Sequence, residues 1–302
     1  MTTSTSLEGA APLPHWGVIR AQGADAAAFL HGQLTNDFAL LDKAHARLAG
    51  YCSAKGRLLA SFIGWKRSDD EVLLACSADL LAPTLKRLSM FVLRAKCKLS
   101  DASGEFRLLG LAGASATAYA GAASVWDRLS RDGADIIRLP DAAGTARYLW
   151  AAPIDTAVPT LPALDTATWR WGEVASGVVT IEAATVDQFV PQMLNYELLG
   201  GVDFKKGCYP GQEIVARSQY RGTIKRRTFL FNSEAQPSAG QEVFHSSDPS
   251  QPAGLVANAA GHSALVELKL AAVGHGSMHL GAADGPRLQQ AELPYSVPIE
   301  AG

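Results

Sequence analysis

One short stretch concentrates residues able to do chemistry: Lys205-Lys206-Gly207-Cys208-Tyr209-Pro210-Gly211-Gln212-Glu213. A cysteine between glycines, behind two lysines and ahead of a Pro-Gly turn, is placed for access. Pro210 is suited to open a helix over 211–220, which puts Cys208 near a helix N-terminus, where unpaired N–H groups favour an anion. With Lys205 and Lys206 nearby, that setting favours the thiolate, the reactive form of cysteine. Gly207 and Gly211 permit close approach of a ligand or another backbone segment. The same residues are compatible with an inert cysteine and ordinary turn glycines. Charge clusters here as well. Residues 205–227 hold seven Lys/Arg (Lys205, Lys206, Arg217, Arg221, Lys225, Arg226, Arg227) against Glu213, a local +6, which leaves −8 for the rest of a chain of net charge −2. Such a patch suits an anionic ligand or a phosphate backbone, or serves as a solvated linker.

Bulk properties narrow the setting. With 302 residues, 48% hydrophobic and 19% charged, the chain can bury a large core, and its slight net acidity argues against a globally basic nucleic-acid binder. The four cysteines, Cys52, Cys76, Cys97 and Cys208, form no CxxC pair, and the seven histidines offer no HxH pair and only one HxxxH spacing, His275 and His279, so no metal site is expected. The first residues lack the charged and apolar regions of a signal peptide, and no stretch is apolar enough to span a membrane. The expectation is a cytoplasmic protein with reduced thiols.

Hydrophobic alternation supplies the elements that must position the thiol. A strand runs through HWGVIRAQG to Gly23, followed by a short helix that Asp25 can cap. A three-stranded meander over 47–77 turns at SAKG and RSDD. Ser77 can cap a helix tolerating Pro83 in its early turns. Strands at KCKLSD and EFRLLGLAG, a small-residue helix over 115–130, strands at DIIRLP and ARYLWAAP, and a helix over 163–174 follow. QMLNYELL reads as a short amphipathic helix stopped by Gly200-Gly201. Cys76 and Cys97 are expected to pack in strands. From about 228 the texture becomes short strands between Gly, Pro and Ser turns, a small β-barrel of about 75 residues. The class is α+β with antiparallel sheets, divided into a flexible tail over 1–14, a domain of two α+β halves over 15–225 and a C-terminal β-barrel over 226–302.

Phe204 to Arg217, FKKGCYPGQEIVAR, closely resembles the signature of the YgfZ family, folate-binding proteins related to the glycine-cleavage T-protein, an aminomethyltransferase. FLHGQLTNDF resembles the superfamily's F-x-x-G-Q-x-T-N-D-V stretch, with His31 where Gln is usual, and YCSAKGRLLASF resembles its C-x-A-K-G stretch. The resemblance covers about Trp16 to Arg227. It implies a T-protein-like folate domain around a central hole, then a β-barrel, with tetrahydrofolate or a derivative as ligand. It also implies two folate-associated tryptophans, Trp16 and Trp169, although a shifted alignment would substitute Trp171. Aromatic platforms suit a flat pterin, and both tryptophans are equally at home in a core. Where the T-protein has a catalytic carboxylate this chain has Ala60 and Ser61, neither of which can serve as a base. The resemblance therefore implies a folate-dependent accessory protein for iron–sulfur enzymes, including those that thiolate tRNA, with Cys208 as the thiol. Lys205, Lys206, Gly207, Tyr209, Gly211, Gln212, Glu213 and Arg217 would support it. Expected partners are folate, iron–sulfur client or assembly proteins and tRNA, for a monomer with no membrane contact. A folate-dependent one-carbon transferase and a non-enzymatic tRNA-binding module are the alternatives.

Overall fold

The structure, a computed structural model, describes residues 6–222 and 224–298. In chain order its first part comprises β1 (Gly9–Pro12), β2 (Trp16–Gln22), α1 (Ala26–His31), β3 (Ala46–Cys52), β4 (Leu58–Ser68), β5 (Glu71–Ser77), α2 (Ala78–Ser89) and β6 (Lys98–Asp101). Next come β7 (Phe106–Ala112), α3 (Gly113–Ala120), β8 (Arg128–Arg131), β9 (Ala134–Ala142), β10 (Thr145–Pro153), α4 (Thr166–Ala175) and α5 (Gln212–Tyr220). The chain closes with β11 (Arg226–Ser233), β12 (Glu242–His245), β13 (Asp248–Ala260), β14 (Ser263–Lys269), β15 (Met278–Leu280) and β16 (Arg287–Ala291).

Two five-stranded antiparallel sheets, ordered β3-β4-β5-β2-β6 and β1-β7-β10-β9-β8, form the two halves. Their inner faces share one core in which Ile63, Trp65 and Leu73 of the first meet Ile137 and Leu149 of the second. Burying such side chains stabilises by roughly 1.5–3 kcal/mol each. The Trp65 indole donates to Asp135 Oδ2 at 2.9 Å, so a polar tie also joins the halves. Behind them β11-β14-β13-β12-β15-β16 close into a barrel. Leu230, Ala257 and Leu265 of the barrel join a core with Val174, Val179 and Tyr196, so the barrel is docked rather than tethered.

Several expectations need correction. The segment 1–14 is not a loose tail over its described part: β1 pairs with β7, and Leu7, Ala11 and Leu13 are buried in the shared core. Glu8 also accepts hydrogen bonds from the N–H groups of Ala114 and Ser115, where α3 begins. Residues 1–5, Thr223 at the proposed domain junction and 299–302 lie outside the described residues. The helix expected over 115–130 ends at Ala120, because Gly121 (φ 94°) turns the chain out, and Arg128–Arg131 pairs with β9 instead. QMLNYELL is not an α-helix. A 3-10 turn over Pro191–Leu194 stops at Asn195 (φ 59°), whose amide donates to Thr228 O at 2.8 Å, so a tertiary bond overrides helical patterning. Cys97 lies just before β6, not within a strand. Among the described residues no helix is long and apolar enough to cross a membrane.

Candidate functional site

The sequence-selected residues fall at two places. The first is a cleft where both sheets meet α4, lined by Trp16, Ser61, Phe62, Trp126, Arg147 and Glu173 among others. Trp16 opens β2, which pairs with β5 on one side and β6 on the other. Trp169 and Glu173 lie four residues apart on α4, hence on one face. That helix starts cleanly because the Asp165 side chain accepts the Thr168 N–H at 3.1 Å. Both indole N–H groups donate to Glu173 Oε1 at 2.8 Å, and His15 Nε2 lies 2.9 Å from Oε2. Burial would raise the Glu173 carboxyl, but His15, the Trp16 indole and Arg147 outweigh it and hold it below its ordinary value.

Trp169 does not line the cleft. It is 1% exposed, with the Arg147 guanidinium 5.1 Å from its ring centre on one side and Gly110 packed against the ring on another. Burial drives the Arg147 pKa down to about 10, and its Nη1 has no hydrogen-bond partner. Trp171 is elsewhere, in a surface groove with Leu7 and Glu8. Where the superfamily acid would stand, Ser61 borders the cleft and its hydroxyl accepts the Ile181 N–H at 2.8 Å. Ala60 is buried on the opposite face of β4. Sequence reasoning missed Glu173, Trp126 and Arg147. The Trp169–Glu173 spacing on a helix could have exposed the first; Trp126 lies in an irregular stretch with φ 73° and carries no pattern.

The second place is the loop 203–211, which packs on both weaker motifs. Asp203 N–H donates to Thr35 O at 3.0 Å. Lys206 is buried, its Nζ donating to the carbonyls of His31 and Leu34 (2.8 Å to the latter) and lying 4.6 Å from the centre of the buried Tyr209 ring. Burial pushes the Lys206 pKa down to about 8, against the pull of Asp37 and Asp203. Gly211 has φ 78° and packs on Ser53 O and Gly56; a β-carbon there would sit 2.7 Å from Gly56 Cα. It caps α5, and the Gln212 amide spans back to Gly207 O at 3.5 Å. Three separate sequence motifs thus build one surface.

Cys208 is exposed, four residues ahead of the first helical residue. Cys52, by contrast, is buried beneath the loop's neighbours, and burial pushes its thiol up to about 12; Cys76 is raised likewise. The basic run divides. Lys206 is consumed by carbonyls, Arg226 pairs with Glu267 and buried Arg227 with Glu197. Lys205, Arg217, Arg221 and Lys225 face solvent, as does Glu213.

These features define a fold class. The chain superposes on the glycine cleavage system aminomethyltransferase T from Bartonella henselae with a TM-score of 0.74, covering 98% of this chain and 87% of that one, at 17% identity. Its architecture is therefore that of the T-protein, and the antiparallel halves and closed barrel expected from sequence are present. No family model matches the chain. It is 33% identical over 253 residues to the tRNA-modifying protein YgfZ of Edwardsiella ictaluri (strain 93-146), spanning 76% of this chain and 73% of that protein. The chain belongs to the YgfZ family.

Proposed function

We propose that this chain is a folate-dependent accessory protein supporting the assembly or repair of iron–sulfur enzymes, tRNA-thiolating ones included, with Cys208 as its working thiol. The observation that carries the folate reading is the convergence of Trp16, Trp169 and His15 on Glu173 at the wall of an aromatic cleft. The donor set suits tetrahydrofolate or a derivative: Trp16 and Trp126 offer faces for a flat ring, Glu173 an acceptor, and Arg147 Nη1 a buried donor in need of a partner. Folate would bring one-carbon chemistry to the cleft; the protein's residues bind and orient it. The free space is now about 30 Å³, room for a water molecule, so a fused ring enters only if aromatic side chains swing aside.

With serine and alanine at the acid positions, aminomethyl transfer of the T-protein kind lacks its base. The exposed thiol on a loop pinned by two other motifs supports a role in sulfur or cluster chemistry at a client protein. The relative named as tRNA-modifying, together with solvent-facing Lys205, Arg217, Arg221 and Lys225, supports a tRNA or tRNA-bound client near the same loop in the cytoplasm.

Tetrahydrofolate titration followed by tryptophan fluorescence tests the ligand. Saturable quenching in the wild type, weakened by Trp126→Ala and Glu173→Gln, is expected. Absence of quenching, or quenching indifferent to both changes, overturns it. Client-enzyme activity in cells carrying Cys208→Ala tests the thiol separately, and full activity there refutes its role.

A further inference from the structure

Leu149 and Ala151 of β10 point into the core shared by the two sheets, and strand alternation puts Arg147 on that same face. A cation thus stands where the pattern calls for an apolar side chain. Among the described residues three arginines are buried, Arg138, Arg147 and Arg227. Arg138 pairs with Asp141 and Arg227 with Glu197, but Arg147 has no ion pair. Its Nε donates to Pro140 O at 3.2 Å, while Nη1 is buried without a partner. The strongest attraction on it comes from Glu173, whose oxygens are held by His15 and the two indoles, and no hydrogen bond joins the two side chains. A buried charge without a partner destabilises a fold, and native chains seldom keep one.

The guanidinium is nevertheless held in place. Its carbon lies 5.1 Å from the centre of the Trp169 ring, a cation–π distance. Its stem passes Gly172 of α4, where a β-carbon would come within 3.6 Å of Cδ. So fixed, it borders the cleft beside Glu173, where Leu48, Ile63, Leu139 and Val179 give the wall an apolar character. In such surroundings a free N–H donor is the feature that a ligand oxygen can answer.

We propose that Arg147 is the specificity-determining residue of the cleft, kept unpaired to receive the 4-oxo oxygen of a reduced pterin. This rests on the folate reading. A pterin edge carries N–H donors at positions 2 and 3, which suit a carboxylate, and beside them an acceptor oxygen at position 4, which suits a guanidinium. A 4-amino analogue puts N–H where that oxygen was. A donor then meets a donor, and the buried cation stays without a partner. The cleft should therefore separate folates from 4-amino antifolates, although the two share ring shape and tail.

Isothermal titration calorimetry of the full-length protein with tetrahydrofolate and with its 4-amino-4-deoxy analogue reads this preference. The wild type should bind tetrahydrofolate roughly 10- to 100-fold tighter, the range for a hydrogen bond to a charged group. Arg147→Met keeps a stem over Trp169 and removes the donors. It should weaken tetrahydrofolate binding by a similar factor and bring the two ligands within about threefold of each other. Urea unfolding without ligand gives a second reading. Removing an unpaired buried charge should leave the midpoint of Arg147→Met at or above that of the wild type. A lower midpoint, or no folded protein, would mark Arg147 as a packing cation and overturn the assignment. Equal wild-type affinities, or a preference that survives Arg147→Met, overturn it too and leave the folate reading intact. Absence of binding by both ligands overturns the two together.

Discussion

Trp16 and Trp169, 153 positions apart in sequence, donate to the same oxygen of Glu173 at 2.8 Å each. One tryptophan comes from the first sheet and the other from α4, so a single carboxylate fixes the seam on which the cleft opens. Replacing it by the isosteric amide should be felt in both stability and binding. Glu173→Gln removes the charge that His15 and Arg147 offset and puts N–H where acceptors are needed. A loss of about 1–3 kcal/mol in urea unfolding is expected, with weaker tetrahydrofolate quenching. A variant as stable as the wild type would show that the three donors find other partners.

The same carboxylate predicts a pH dependence. Its folded pKa lies below the ordinary 4.5, so its contribution is fully present above that value and is lost as pH falls through the lower folded pKa. Urea unfolding between pH 6 and about 3 should therefore show the wild type losing stability on acidification more steeply than Glu173→Gln. Parallel curves would place the acid sensitivity elsewhere, for instance at Asp37, which is shifted in the same direction.

Gly110 offers a way to disturb Trp169 without touching the cleft wall. Any β-carbon at 110 runs into the Trp169 ring, which Arg147 blocks from retreating. Gly110→Ala should destabilise by about 1–3 kcal/mol through overpacking and loosen the Trp169–Glu173 bond, while Trp16 keeps its place in β2. A wild-type melting temperature would show that the ring has room to shift.

How much of this was legible in the sequence depends on the kind of signal. Alternation and turn residues marked the strands of both sheets other than β1 and β8, and those of the barrel, with the turns deciding where a strand such as β5 is buried on both faces. The 14-residue motif marked the loop, and Trp16 and Trp169 were marked by resemblance. What stayed hidden depends on contacts between distant segments. Glu173 looked like any helix-surface acid until Trp16 and His15 closed over it. Gly9–Pro12 looked like a tail because a four-residue edge strand carries little periodicity of its own. Lys206, Arg226 and Arg227 counted as surface charge, although carbonyls, Glu267 and Glu197 absorb them.

The two motif glycines should behave differently. Gly211 has a positive φ and rests on Ser53 O and Gly56, so Gly211→Ala meets both backbone strain and backbone atoms. It should release the loop, seen as faster proteolysis between 203 and 212. Gly207 has no such dihedral, and its nearest neighbour is the tip of the His31 ring at 3.2 Å. Gly207→Ala should leave proteolysis near wild type. Equal sensitivity of the two variants would contradict this asymmetry.

The basic run should likewise separate into structure and surface. Arg227 is buried against Glu197, beside Asn195 and the C-terminal Tyr295. Arg227→Ala leaves that carboxylate unpaired in the interior and should cost about 3–5 kcal/mol, whatever the ligand. Arg217 and Arg221 are solvent-facing near one end of α5. Changing both to alanine should shift stability by less than about 0.5 kcal/mol. If tRNA docks there, the slope of log affinity against log salt should drop by about two, one for each lost phosphate contact. An unchanged slope with intact folding would move the nucleic acid off this helix and leave the exposed arginines to a protein client.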